Sequence, residues 1–244
     1  MKTKSTFKLI LLIVFVLLIY NIIKAIQVPF YWDEIYTYLR YVKPEIFILN
    51  EYDRMDANHH LLNTWLIQGF IKLFGLHEFV LRLPNILFFV VYATFAVLFS
   101  TQFQSYVFQI GCFIILLLNP FVNDYFCLAR GYGISMALML GSLYYLFMFI
   151  RENYEKKFAS LSLLFASIGL LANFSLINYV LVLLFIYVAF VLSNLKAHFK
   201  KPSEFYQFLL SLIAPIAILL FTIPIILKLK KAGALFIGKN NGFW

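Results

Sequence analysis

Charge is what this chain has least of. Charged residues make up 13% of its 244 positions and hydrophobic residues 63%. A water-soluble domain of this length needs far more polar surface, so that class is excluded. Cysteine is nearly absent as well. Cys112 lies inside an apolar run and Cys127 past its end. If the residues between are helical, the two are about 20 Å apart, too far to bridge, so no disulfide framework is expected. There is no glycine-rich phosphate loop, no serine-centred nucleophile elbow and no CxxC pair. No charge is conspicuous in the middle of an apolar run, so ion-channel and proton-pump readings lack their usual residues. Fixed-period repeats and low-complexity linkers are missing too.

What remains is a succession of long, nearly uncharged apolar runs. These predict an all-α, polytopic transmembrane helical bundle of about seven spans. Aromatic residues reach 20%, with 29 Phe and 16 Tyr, which suits interfacial belts and ring-rich bundle cores. The net charge of +9 does not indicate nucleic acid, because the position of the basic residues decides their meaning. Lys2, Lys4 and Lys8 precede the first apolar run. That start resembles a signal peptide, but Tyr20, Asn21 and Lys24 stand where a small-residue cleavage site would be. The run is therefore read as a retained first span over residues 7–26, with the N-terminus in the cytoplasm.

A polar outer segment follows, residues 27–83. Within it, Asn63, Thr64, Gln68 and Lys72 recur at helical spacing among Leu62, Trp65, Leu66, Phe70, Leu73 and Phe74. This predicts an interfacial amphipathic helix over 61–74, its apolar side on lipid or on the spans. Asn58 can cap its start and Gly75 its end. A second short helix is expected over 44–52. Span 2 covers 84–100, with Pro84 in its first turn. Span 3 covers 106–118, ended or kinked at Asn119-Pro120. An outer loop at 123–130 leads into span 4, 131–150, and residues 151–157 form an inner loop. Residues 158–191 read as two short spans, broken at Ala172-Asn173-Phe174-Ser175. Residues 194–204 lie inside and span 7 covers 205–227. Residues 228–244 then fall outside, although Lys228, Lys230, Lys231 and Lys239 argue against that side. Most of the 11 acids (Asp33, Glu34, Glu45, Glu51, Asp53, Asp56, Glu78 and Asp124) fall on the outer side.

Asp33-Glu34, just after the first span, is the sharpest chemical candidate. Adjacent carboxylates at a low-dielectric boundary could supply one general base and one hydrogen-bonding or metal ligand. Composition alone favours two solvated acids ending a span. Asp53, Asp56, His59 and His60 form a second group, able in principle to hold a divalent metal but matching no closed metal motif. A histidine here could instead contact a phosphate or hydroxyl. Glu78 and Arg82 stand four apart and can pair on a helix surface. Arg130 could hold an anionic lipid phosphate, pair with Asp124, or snorkel. Asn173 could contact substrate or cap a broken helix.

In their order and spacing these stretches resemble the GT-C class of polyprenol-phosphate-sugar-dependent glycosyltransferases, which includes protein O-mannosyltransferases and the lipid A aminoarabinose transferase. The first span ending in Asp33-Glu34 carries the likeness. So do Asn58 to Leu66, Lys72 to Gly75, Glu78 to Pro84, and Ala129-Arg130-Gly131-Tyr132-Gly133. It covers about residues 31–178. It implies transfer of a sugar from a polyprenyl-phosphate donor to a lipid, glycan or protein acceptor, on the outer face of a bacterial or archaeal plasma membrane. Asp33 would be the base and Glu34 its assistant. Arg130, with His59 or His60, would meet the phosphate, and Asp56 and Asn173 would line the substrate site. No resident cofactor is implied, a divalent metal remaining an option, and no nucleic-acid partner. Family members usually show His-Pro where this chain has His59-His60, and often a histidine where Asn173 stands. They also carry further spans, so a truncated member or N-terminal fragment is expected. The alternatives are a non-catalytic relative and a flippase for lipid-linked sugars.

Overall fold

The computed structural model describes residues 4–48, 59–152, 154–193, 206, 208–210 and 212–231. Among these residues the fold is helical throughout, with no strand. Helix α1 (Lys4–Gln27) is followed by α2 (Trp32–Thr37), which runs into a π-helical turn over Tyr38–Val42. Next come α3 (Leu61–Phe74), α4 (Glu78–Ser100), α5 (Tyr106–Leu117), α6 (Pro120–Phe126) and α7 (Gly131–Arg151). The chain continues through α8 (Lys156–Ala172), a 3-10 turn at Phe174–Leu176, α9 (Ile177–Ser193) and α10 (Ile213–Lys231).

Apolar surface faces outward. Along α1, Leu9, Leu12, Phe15, Val16 and Ile19 are all exposed, and α9 exposes Leu181, Phe185 and Leu192 in the same way. In water such surfaces would be costly, whereas in lipid they are the solvated ones. Among the described residues, four helices are long and apolar enough to cross a membrane: Lys8–Gln27, Glu78–Ser100, Gly131–Arg151 and Phe208–Lys231. The bent pair α5–α6 makes a fifth if taken as one span. Seven spans are thus more than the structure supports, although every segment expected to span contains helix. The shortfall is one of length. At 17 residues each, α8 and α9 reach about 25 Å, less than a hydrocarbon core of about 30 Å.

Several boundaries differ from the sequence expectation. Helix α4 starts at Glu78, not at Pro84. His77 is extended and its Nδ1 accepts from the Phe79 N–H at 3.2 Å, which caps the helix, and Pro84 is accommodated inside. Of the short helix expected over 44–52, the described residues 44–48 are not helical, and a helix that was not expected runs over 32–42. It closes where Glu45 takes a left-handed φ of 53°. There the Ile46 N–H donates to the Tyr41 carbonyl (3.0 Å) and the Glu45 N–H to the Val42 carbonyl (3.1 Å), the two bonds of a Schellman ending. Residues 49–58, with the proposed cap Asn58, lie outside the described residues. The other punctuation holds. Gly75 ends α3 at φ 79°. Asn119 accepts from the Phe121 N–H, and α5 and α6 meet at a 48° bend around Pro120. Asn173 breaks α8 from α9.

The polar stripe of α3 points into the protein. Asn63, Thr64 and Gln68 are buried, while Leu73 and Phe74 are exposed. Asn63 donates to the Ala129 carbonyl (3.2 Å) and accepts from Asn85 Nδ2 (2.9 Å). Gln68 donates to the Tyr41 carbonyl at 3.3 Å. Between α7, α8 and α9, Ser142, Ser162 and Tyr179 join hydroxyls, with Tyr179 Oη 2.9 Å from Ser142 Oγ. Such bonds hold helices together where burial against lipid tails supplies little drive.

Candidate functional site

The end of the bundle where α1 finishes and α4 and α7 begin gathers the ionisable groups. Its anchor is Arg82. Pro29 has no N–H, so the Ala25 carbonyl lacks its helical partner in the last turn of α1. Arg82 Nη1 takes that place, donating to the carbonyls of Ala25 (2.8 Å) and Val28 (2.7 Å), while Nη2 donates to that of Pro29 (3.2 Å). A cation at a helix C-terminus also complements the dipole. The guanidinium lies 4.7 Å from the Phe30 ring centre.

Glu34 meets the other edge of Arg82. Nε donates to Oε1 at 2.8 Å and Nη2 to Oε2 at 2.7 Å, a bidentate pair. Oε2 also accepts from the Tyr31 N–H (3.0 Å), which is half of a capping box for α2. Oε1 also accepts from the Ala129 N–H (2.7 Å), in the connection between α6 and α7. Both side chains are essentially fully buried. A carboxylate has about four acceptor positions, and all are taken. Glu34 is therefore a structural joint between α1, α2, α4 and the start of α7. This also corrects the expected Glu78–Arg82 pair, since Arg82 turns inward to Glu34.

Asp33 points the other way, its side chain 64% exposed. Arg130, whose side chain is only 3% exposed, brings Nη2 to 3.8 Å from Asp33 Oδ2. Its Nη1 donates to the Asp33 carbonyl (3.3 Å) and Thr37 Oγ1 (3.4 Å). These two residues line a cleft of about 430 Å³ with Lys24, Asp124, Tyr125 and Tyr132. Asp124 pairs with Lys24, from the last turn of α1, rather than with Arg130. Cys127 also borders the cleft. Burial pushes its thiol up to about 11, which keeps it protonated and a poor nucleophile near neutrality.

Of the remaining candidates, those among the described residues lie outside this cleft. His60 stands behind its wall. Its Nδ1 donates to the Ala172 carbonyl at 2.7 Å and its ring meets Tyr132 edge-on at 4.9 Å. His59 is buried and stacked on Tyr41 at 4.1 Å. Asn173 caps the 3-10 turn by accepting from the Ser175 N–H (3.0 Å). Asp53 and Asp56 lie outside the described residues, and no group of three metal-ligating side chains occurs among those described.

The stretch Ala129–Gly133 is the hub of this end. A Cβ on Gly131 would lie 2.1 Å from the Ala172 carbonyl oxygen and 2.7 Å from His60 Cβ, so only glycine lets α3, α7 and α8 meet there. Sequence reasoning missed Lys24 and Tyr132 as cleft residues and Arg82 as the partner of Glu34. Lys24 had a signal, being a lysine at the far end of an apolar span from the N-terminal lysines. The Glu34–Arg82 pairing, 48 residues apart, had none. Comparison with family models, curated proteins and solved structures finds no match for this chain.

Proposed function

We propose that the cleft transfers a sugar from a polyprenyl-phosphate donor to a hydroxyl-bearing acceptor at the outer membrane face, with inversion. One observation supports this reading above the rest. Of two adjacent carboxylates, Glu34 is consumed by the scaffold, and Asp33 is left exposed beside a buried arginine at the cleft. Asp33 accepts the proton of the acceptor hydroxyl. The acceptor oxygen bonds to the anomeric carbon as the bond from that carbon to the phosphate oxygen breaks. The phosphate leaves with the electron pair, and Arg130 stabilises the charge growing on it. A single base suits one in-line displacement without a covalent sugar intermediate.

The test is turnover of lipid-linked sugar by the Asp33→Asn variant of the full chain. Loss of about a hundredfold or more is expected for removal of a general base. Unchanged turnover with an intact fold would remove Asp33 from the mechanism.

A further inference from the structure

Lys24 and Asp124 face each other across the cleft, and their exposure is unequal. The Lys24 side chain is 26% exposed and that of Asp124 51%. The second pair repeats the asymmetry more strongly, with Arg130 at 3% and Asp33 at 64%. In both, the cation is held in the wall and the carboxylate stands at the rim. Lys24 is fixed by its helix and lies 5.7 Å from the Tyr20 ring centre. Asp124, on the two-turn helix α6, can turn outward into solvent without leaving a buried charge behind. A rim carboxylate on a wall cation occupies the position that another anion would take.

We propose that Lys24 is a second anion-binding residue of the cleft, and that Asp124 is its built-in competitor, covering the ammonium until the phosphate of a prenyl phosphate, the donor's diester or the monoester it leaves behind, displaces it. This rests on the cleft being the donor site, and it adds a residue and a resting state to that reading. Electrostatics sets the direction. When the phosphate arrives, Asp124 loses its partner and moves to water at small cost, because an exposed ion pair contributes little. Lys24 exchanges one charge-assisted contact for another. The ligand therefore binds against a modest internal penalty that Asp124 imposes.

The experiment uses the full chain in phosphatidylcholine nanodiscs and measures binding of farnesyl phosphate, with farnesol and inorganic phosphate as parallel probes. Asp124→Asn is expected to tighten farnesyl phosphate about threefold to fivefold, the size of a surface ion pair removed from competition. Lys24→Met is expected to weaken it about tenfold, with Lys24→Arg restoring most of the loss. Farnesol binding should respond to neither. An ion pair that merely ties α1 to α6 would make both substitutions weaken binding together, and that result would overturn the proposal. Asp124→Asn decides alone if Lys24→Met fails to fold, since unchanged or weaker binding by it is equally fatal. Inorganic phosphate following the same order with equal affinity supports the anion position and assigns it to free phosphate. Much tighter farnesyl phosphate assigns it to a lipid headgroup. The binding order is read on the wild type and on the Lys24 and Asp124 variants, without Asp33→Asn, so failure of the transfer reading in turnover leaves it to be judged separately.

Discussion

Removing the charge from Glu34 strands the Arg82 guanidinium in a wall that excludes water. Breaking one side of a fully buried pair costs about 3–5 kcal/mol, so Glu34→Gln and Arg82→Met should each lower the thermal midpoint sharply in detergent. Asp33→Asn, one residue away, should shift it little, since Asp33 is exposed and its ion pair weak. The contrast follows from geometry. A helix turns about 100° per residue, so adjacent side chains leave it in different directions, here Glu34 into the wall and Asp33 outward. The adjacent pair was legible in the sequence as unusual. Which member faced inward was not, because that depended on Arg82, Ala129 and Tyr31 arriving from other segments. Cys127 provides a second test at this scale. In a Cys112→Ser background, iodoacetamide should label Cys127 very slowly near pH 7.5 and faster as pH approaches about 11, the thiol value set by burial. Stability falls over the same pH range. An unfolded thiol ionises near pH 8.5, before the folded one. The stabilisation from keeping Cys127 protonated is therefore complete below about pH 8.5 and is lost as pH rises towards 11.

Among the elements, the junction of α3, α7 and α8 is the least tolerant. Gly131→Ala places a methyl against the Ala172 carbonyl oxygen at 2.1 Å, and backbone must move. A loss of about 1–3 kcal/mol or more is expected, read as a lower thermal midpoint. The ending of the 32–42 helix offers the opposite change. Glu45 holds a left-handed φ of 53°, which costs an L-residue about 1–2 kcal/mol. Glu45→Gly should thus leave stability unchanged or raise it, while Glu45→Ala should not raise it. The period of α3 was visible in Asn63, Thr64 and Gln68, but its direction was not. A polar stripe ordinarily marks the wet side of a helix. Here lipid takes the apolar side and the protein interior takes the amides, through Ala129 and Tyr41. The start of α4 was misplaced for a related reason, because Pro84 looked like a first-turn proline and His77 is not a common capping residue.

For the whole molecule, helix ends alternate between two poles. Lys24, Asp33, Arg82, Arg130 and Asn173 belong to the pole that holds the cleft. Arg151 bonds to Gln102 at the other. Single cysteines at Trp32 and Ser175 should therefore react with an impermeant thiol reagent from one side of a sealed vesicle, and cysteines at Ser105 and Glu155 from the other. Labelling of Trp32 and Ser175 positions from opposite sides would overturn this arrangement. Composition made the membrane class and the helical segments legible, together with the breaks at Asn119-Pro120 and Asn173. The number of crossings was less so, because α8 and α9 are apolar and continuous yet shorter than an ordinary span.

The Glu34 carboxylate also has a consequence for the order in which the protein is made. Two of its four donors come from Arg82, 48 residues downstream, and one from the Ala129 amide, 95 residues downstream. A nascent chain halted after the α3–α4 hairpin still lacks one donor for a buried oxygen. Only when the segment before α7 emerges does that oxygen gain its second donor. The joint is thus completed late in synthesis, and chains arrested before residue 129 should be cleaved by membrane proteases more readily than longer ones.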